Sequence, residues 1–217
     1  MDIWSVKEAV IDRCYETFGF KLEPGWTVVD IGAAIGEFAI LAASRPVVRV
    51  LAFEPLPESA ALLIENASLN GLKNIEIFNL AVSDAAGTIR LDTSGEPLSM
   101  AATHAQPAQA QLAQSIEVSS ITLSAVLALA GGQIDLLKID CEGAEYEILM
   151  SCGRPVLDRV HRITLEYHDN RPEVRHTDLM RHLGEAGFAV EAFPNVVHPG
   201  AIGYMRAVRP ALQRPVP

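Results

Sequence analysis

Three short stretches concentrate side chains able to do chemistry. LLKIDCEGAE (136–145) sets Lys138, Asp140, Glu142 and Glu145 close together, ITLEYH (163–168) adds Glu166 and His168, and VVDIGAAIGEFAI (28–40) carries Asp30 before a turn bracketed by Gly32 and Gly36. Side chains alternate along a strand, so Lys138 and Asp140 share a face in the first stretch, and Thr164, Glu166 and His168 share one in the second. A lysine buried beneath a strand end requires a partner, and Asp140 is the expected one. Glu142 and Glu145 open a helix, where carboxylates also serve as simple caps. If the two strands are neighbours, Glu166 and His168 project near Asp140, and the group can take a proton from a bound acceptor. Ordinary pKa values of about 3.9 for Asp and about 6.5 for His make His168 the better base near neutrality, with Glu166 orienting it. Asp140 then holds the acceptor or helps to place a metal. Asp140, Glu142, Glu166 and His168 offer hard donors, and Mg²⁺ is an occupant they suit.

The glycine turn reads D-x-G-x-x-x-G rather than the dinucleotide fingerprint G-x-G-x-x-G, whose middle glycine admits a pyrophosphate. A carboxylate at the strand end would repel a pyrophosphate. It suits a ligand with ammonium and sulfonium charges, and S-adenosylmethionine is such a ligand. Gly32 leaves room for its amino-acid end, and Asp30 accepts hydrogen bonds directly or through water. The next strand ends in AFEP, with Glu54 18 residues after Gly36. An acidic residue there accepts from both ribose hydroxyls, a feature that NAD sites share. AVSD (81–84) supplies small residues for a flat adenine slot, with Asn79 and Ser83 or Asp84 near the exocyclic amine.

These pieces need elements to hold them. Runs near 27–31, VVRVLAFEP, NIEIFNLAVSD, QIDLLKID and VHRITLEYH read as strands, alternating with helical patterns such as GEFAILAAS, PESAALLIENASLNG and HTDLMRHLGEAGF. That alternation predicts a mostly parallel sheet with helices on both faces. FAVEAF and GYMRAVR form a final antiparallel hairpin, and GTIRLDT a short strand at a sheet edge. The organisation expected is an N-terminal helical segment over 1–24, one domain over 25–209 and a frayed tail over 210–217. Residues 93–115 break the rhythm with Ala, Gln, Pro and Ser. A loop of that length is a surface insertion or a lid over the site.

Composition narrows the classes. With 217 residues, 49% hydrophobic and 20% charged, the chain is a folded globular protein of one domain. A net charge of −10 disfavours a nucleic-acid partner. Cys14, Cys141 and Cys152 form no CxxC pair, which argues against a disulfide framework or zinc and suits a reducing compartment. The start is not a basic n-region followed by an apolar one, and no run reaches the 18 to 20 or so apolar residues of a membrane helix. A cytoplasmic protein is the expectation.

The ordered set VVDIGAAIGEFA, AFEP, AVSD, LLKIDCEGAEYEIL and ITLEYH resembles the FkbM family of S-adenosylmethionine-dependent methyltransferases, over roughly residues 25–190. The resemblance implies a class I, Rossmann-like methyltransferase fold with a seven-stranded sheet. It places Asp30, Gly32, Ala33, Gly36, Glu54, Pro55, the turn of Asn79, Ala81, Val82 and Ser83, and Asp140 around the cofactor. Lys138, Asp140, Glu142, Glu166 and His168 line the acceptor pocket, with Met100 and His104 of the insertion as further substrate contacts. It implies O-methylation of a hydroxyl on a sugar or small natural product. Carboxyl or nitrogen methylation is the alternative, ahead of a non-catalytic binding module or an NAD-dependent oxidoreductase. A small-molecule acceptor is the expected partner, and a homodimer the assembly allowed for. Ala34 stands where an asparagine is common, a departure expected to matter little to the fold.

Overall fold

The structure, a computed structural model, describes residues 7–46, 48–92, 102–103, 115–169, 173–195 and 200–210. Its frame is a seven-stranded sheet in the order β10-β11-β9-β8-β1-β2-β3. The strands are β1 (Thr27–Ile31), β2 (Arg49–Phe53), β3 (Ile75–Phe78), β8 (Leu136–Ile139), β9 (Arg162–His168), β10 (Ala189–Pro194) and β11 (Ile202–Val208). β3, β2, β1, β8 and β9 pair in parallel, and β11 joins β9 antiparallel and carries β10 as a hairpin. The parallel strands are near-continuous apolar runs because helices cover both their faces.

Alternation along each strand sorts side chains into two cores. Val29, Ile31, Leu51, Phe53, Leu137, Ile139 and Leu165 face α3 (Leu123–Leu129), α4 (Glu145–Met150), α5 (Arg154–Leu157) and α6 (His176–Glu185). Val28, Val50, Leu136 and Tyr204 face α1 (Glu37–Ala43) and α2 (Pro57–Leu69). Pro57 sits in the first turn of α2, where its fixed φ and missing N–H cost nothing. Among the described residues no helix is long and apolar enough to cross a membrane.

Two regions differ from expectation, and a third lies largely outside the described residues. Residues 7–19 form two π-helical turns, Lys7–Asp12 and Tyr15–Gly19, separated at Arg13 (φ 49°). They pack on the rest of the domain: Cys14 and Tyr15 are buried in the second core, and Tyr15 meets Phe38 and Tyr204 edge to face. GTIRLDT is not at an edge. It forms β5 (Gly87–Asp92), an inner strand of a second sheet, β4-β7-β5-β6, with β4 (Ala81–Ser83), β6 (Ala102–Thr103) and β7 (Ser115–Thr122). A short amphipathic strand reads alike in either place, because its partners lie far off in sequence. Of the insertion at 93–115 only 102–103 and the first residue of β7 are described, so the lid reading and both Met100 and His104 fall outside the described residues, as does 211–217.

Candidate active site

The chain runs from β1 outward through β2 to β3 and then returns to β8 on the other side of β1. Strand order reverses between β1 and β8, and in open α/β sheets ligands bind beyond the carboxyl ends of the strands at such a point. The carboxyl ends of β9, β8, β1 and β2 stand side by side there. They carry His168, Asp140 and Glu142, Asp30 and Gly32, and Glu54.

The glycine turn is held from beneath. Register pairs Asp30 with Lys138 across β1 and β8, which puts both side chains on one face. Lys138 Nζ lies 3.0 Å from Asp30 Oδ1 and donates to the Gly32 carbonyl at 2.9 Å. Asp140, the partner expected from spacing, is farther away at 3.9 Å. The cross-strand neighbour is nearer than the residue two along the same strand, and only the register reveals it. Asp30 is fully buried, and its Oδ2 has no hydrogen-bond partner among the described residues. Asp30 and Lys138 together brace the turn from behind. Burial lifts its carboxyl to about 6, with Lys138 pulling the other way. Gly32 has φ +74°, and a Cβ there would run into the Asp140 carbonyl oxygen, so the close approach of the turn to β8 requires glycine.

Glu54 closes the far side. Its Oε2 accepts from the Ala34 N–H at 2.8 Å and its Oε1 from the Leu56 N–H at 2.9 Å, so the carboxylate is fixed in direction. Burial raises it to about 7, against those two N–H groups that favour its charge. Asn79 donates to the carbonyls of Glu54 and Pro55, both at 2.9 Å, and so braces the segment bearing Glu54. Ala33 donates to the Phe53 carbonyl at 3.0 Å. Ala81, Val82 and Ser83 are buried in β4, with Ser83 Oγ 3.1 Å from Asp84 Oδ1.

Ala34 matters more than the sequence suggested. It is exposed and has φ +47°, a left-handed conformation that asparagine adopts at less cost than alanine. Ala34→Asn is expected to stabilise the ligand-free protein by about 1 kcal/mol, read as a rise of about 2–4 °C in Tm. An unchanged or lower Tm would show that the turn relaxes the strain elsewhere.

On the other side, Asp140, Glu142 and His168 come together. Tyr15 donates to Asp140 Oδ2 at 2.6 Å, and the Lys138 ammonium lies 5.1 Å from the Tyr15 ring centre. His168 Nδ1 is 3.3 Å from Glu145 Oε1 and Nε2 is 3.4 Å from Glu142 Oε2. Glu145 is fully buried and also accepts the Cys141 N–H at 2.7 Å. Glu145, not Glu166, therefore orients the imidazole. Glu166 lies instead close enough to Tyr15 to help raise its pKa, after burial and Asp140. The expectation that His168 is the better base also changes. Burial alone would lower its pKa, but Glu145, Asp140 and Glu142 lift it to about 10, so it already holds its proton at neutral pH. Burial raises Glu142 to about 7, with His168 opposing.

Sequence reasoning missed two residues here. Glu145 was assigned to capping, and its spacing from the CEG turn was the available signal. Tyr15 had none, since its partner lies 125 residues away. The resulting rim, acidic from Glu54 to Glu142, suits a cationic ligand and leaves a charged corner beside it.

Comparison with known proteins gives the family. Residues 30–190 match the model of the methyltransferase FkbM domain. The chain is 33% identical over 191 residues to the 31-O-demethyl-FK506 methyltransferase FkbM of Streptomyces tacrolimicus, covering 75% of this chain and 73% of that one. It is 29% identical over 190 residues to methyltransferase sdnD of Sordaria araneosa, covering 74% and 72%. An rRNA methylase from Streptococcus thermophilus shares the fold, with TM-score 0.57 at 11% identity over 92% of this chain and 95% of that one.

Proposed function

Because the chain belongs to the FkbM family of S-adenosylmethionine-dependent methyltransferases, we propose that it methylates a hydroxyl oxygen on a small sugar or natural-product acceptor. The observation that carries this reading is a directed carboxylate, Glu54 after β2, on the same sheet rim as the Asp140–Glu142–His168 corner after β8 and β9, with the glycine turn of β1 between them. Glu54 would receive the ribose hydroxyls of the donor, and Gly32 and its neighbours would take the amino-acid end. The acceptor would lie against the corner. The name of the Streptomyces relative, a methyltransferase of 31-O-demethyl-FK506, favours an oxygen acceptor over carboxyl or nitrogen methylation. The acidic charge of the chain favours a small acceptor over RNA.

The donor methyl is activated by its sulfonium, so the protein's work is to align the nucleophile, exclude water and receive a proton. The acceptor oxygen attacks the methyl carbon, the S–CH₃ bond breaks, and its electron pair stays on sulfur as the neutral thioether. The hydroxyl proton passes to a carboxylate of the corner. Two observations support Asp140 in this role: Tyr15 holds Oδ2, and Oδ1 accepts no hydrogen bond from a described residue. Lys138 steadies the carboxylate from behind, and His168 as a cation orients the acceptor. Asp140→Asn is expected to lower kcat by about 10²–10⁴-fold with donor affinity retained, measured by mass-spectrometric methyl transfer to a panel of polyhydroxylated acceptors. Turnover within twofold of the parent would remove Asp140 from proton transfer.

A further inference from the structure

We propose that Tyr15 is a positioning residue for methyl transfer, whose hydroxyl holds Asp140 off Lys138 and keeps the second carboxylate oxygen free for the acceptor. The N-terminal turn thereby belongs to the active site. The inference rests on the reading of Asp140 as the proton acceptor. It does not follow from family membership, because Tyr15 lies outside residues 30–190, the span matched by the FkbM domain.

Packing does not require the hydroxyl. The Tyr15 ring is buried in the second core, with its centre 5.5 Å from that of Phe38 and 5.9 Å from that of Tyr204, both edge to face. Phenylalanine would make the same contacts. A buried hydroxyl is costly unless it finds a partner, and the partner here is Asp140 Oδ2 at 2.6 Å. Burial, then the charges of Asp140 and Glu166, raise the phenol well above its ordinary value of 10, so it keeps its proton and donates throughout the neutral range.

The hydroxyl is set in place before any acceptor arrives. The Arg13 carbonyl accepts the N–H groups of Glu16 and Thr17 at 2.9 and 2.7 Å, and the Phe20 N–H closes the π-helical turn on the Tyr15 carbonyl at 3.1 Å. Phe18 stacks on Tyr204 of β11 at 5.0 Å, and Gly19 lies so close to β9 that a Cβ there would run into Thr164. Lys138 competes for the same oxygen. Its Nζ is 3.9 Å from Asp140 Oδ2, too far for a hydrogen bond, while it engages Asp30 Oδ1 at 3.0 Å and the Gly32 carbonyl at 2.9 Å. Without the Tyr15 hydroxyl, a small rotation of the carboxylate closes that gap into a direct ion pair and misplaces the base. An error of about 1 Å in a catalytic group can cost about 10²-fold in rate.

Tyr15→Phe is expected to lower kcat by about 10–10²-fold in mass-spectrometric methyl transfer, with acceptor KM and S-adenosylhomocysteine affinity within about twofold of the parent. Retained S-adenosylhomocysteine binding shows that each variant has folded. In an Asp140→Asn background the same substitution is expected to cost nothing further, because a residue that acts through Asp140 has nothing left to position. A tyrosine that serves the fold alone would give equal losses in both backgrounds. That result, or a kcat for Tyr15→Phe within about twofold of the parent, overturns the inference. Carbon-13 NMR of protein labelled at tyrosine Cζ reads the pairing without turnover. The signal missing from Tyr15→Phe is that of Tyr15, and its ionisation should move to lower pH in Asp140→Asn, where a neighbouring negative charge is gone. An unmoved titration overturns the pairing. A parent that methylates no acceptor counts against the O-methylation reading instead, with the NMR titration still deciding whether Tyr15 holds Asp140.

Discussion

Lys138→Met is expected to destabilise the protein by about 3–5 kcal/mol, enough to lower Tm by roughly 6–20 °C. Methionine fills much the same volume, so packing is nearly kept and the loss is electrostatic. What it leaves behind is Asp30, fully buried beside an apolar neighbour, and a Gly32 carbonyl without its donor. Removing one partner of a buried pair is costly because the other charge stays behind without compensation. Two signs follow. Lys138 is lowered by burial but raised further by Asp30 and Asp140, so its folded-state value lies above the ordinary one and its contribution is fully present at neutral pH. Asp30 stands at about 6 in the parent although Lys138 pulls it down, so without the lysine it takes up its proton at a higher pH, and the defect should shrink as pH falls toward about 6 and change little below it. The double variant Asp30→Asn with Lys138→Met should recover a large part of the loss in thermal unfolding. A single variant as stable as the parent would show that the pair does not brace the turn.

Glu54→Ala should weaken S-adenosylhomocysteine binding by about 10²–10⁴-fold, the loss of two hydrogen bonds to a charged acceptor at about 1.5–3 kcal/mol each. The alanine variant also frees the N–H groups of Ala34 and Leu56, so Glu54→Gln separates charge from shape. The parent should show a pH dependence that the glutamine variant lacks. With a carboxyl at about 7, the free protein is partly protonated below neutrality, and a neutral carboxyl cannot accept from both ribose hydroxyls. Affinity should therefore climb as pH rises toward about 7, by up to about tenfold per unit, and level off above. The stability of the ligand-free protein should run the other way, falling as pH rises from 4.5 to about 7, because folding raises this group. Calorimetric titration at several pH values reads both variants. Donor binding that is unaffected by either substitution would place the ribose elsewhere.

Much of the frame was legible before any coordinates. Apolar runs ending in Asp30, Glu54, Asp140 and His168 announce parallel strands whose carboxyl ends converge, and the hairpin at Ala189–Val208 was readable from its two short strands. Period and turn chemistry are local properties, carried by neighbours a few residues apart, so a linear text transmits them. The second sheet was not legible, because β4, β5 and β7 find their partners across 30 or so residues of chain.

What the sequence determined by itself was the cast: which acids, which glycines, which histidine, and that they gather on one rim of a parallel sheet. Only the tertiary structure decided who holds whom. Register gave Lys138 to Asp30 rather than Asp140, the start of α4 gave His168 to Glu145 rather than Glu166, and a π-helical turn 125 residues away brought Tyr15 to Asp140. The backbone at Ala34 took a left-handed turn that no letter announces. The physical reason is range. Hydrogen bonds and ion pairs act over about 3–4 Å in space, and the residues within that reach are chosen by sheet register and helix packing, not by their spacing along the chain.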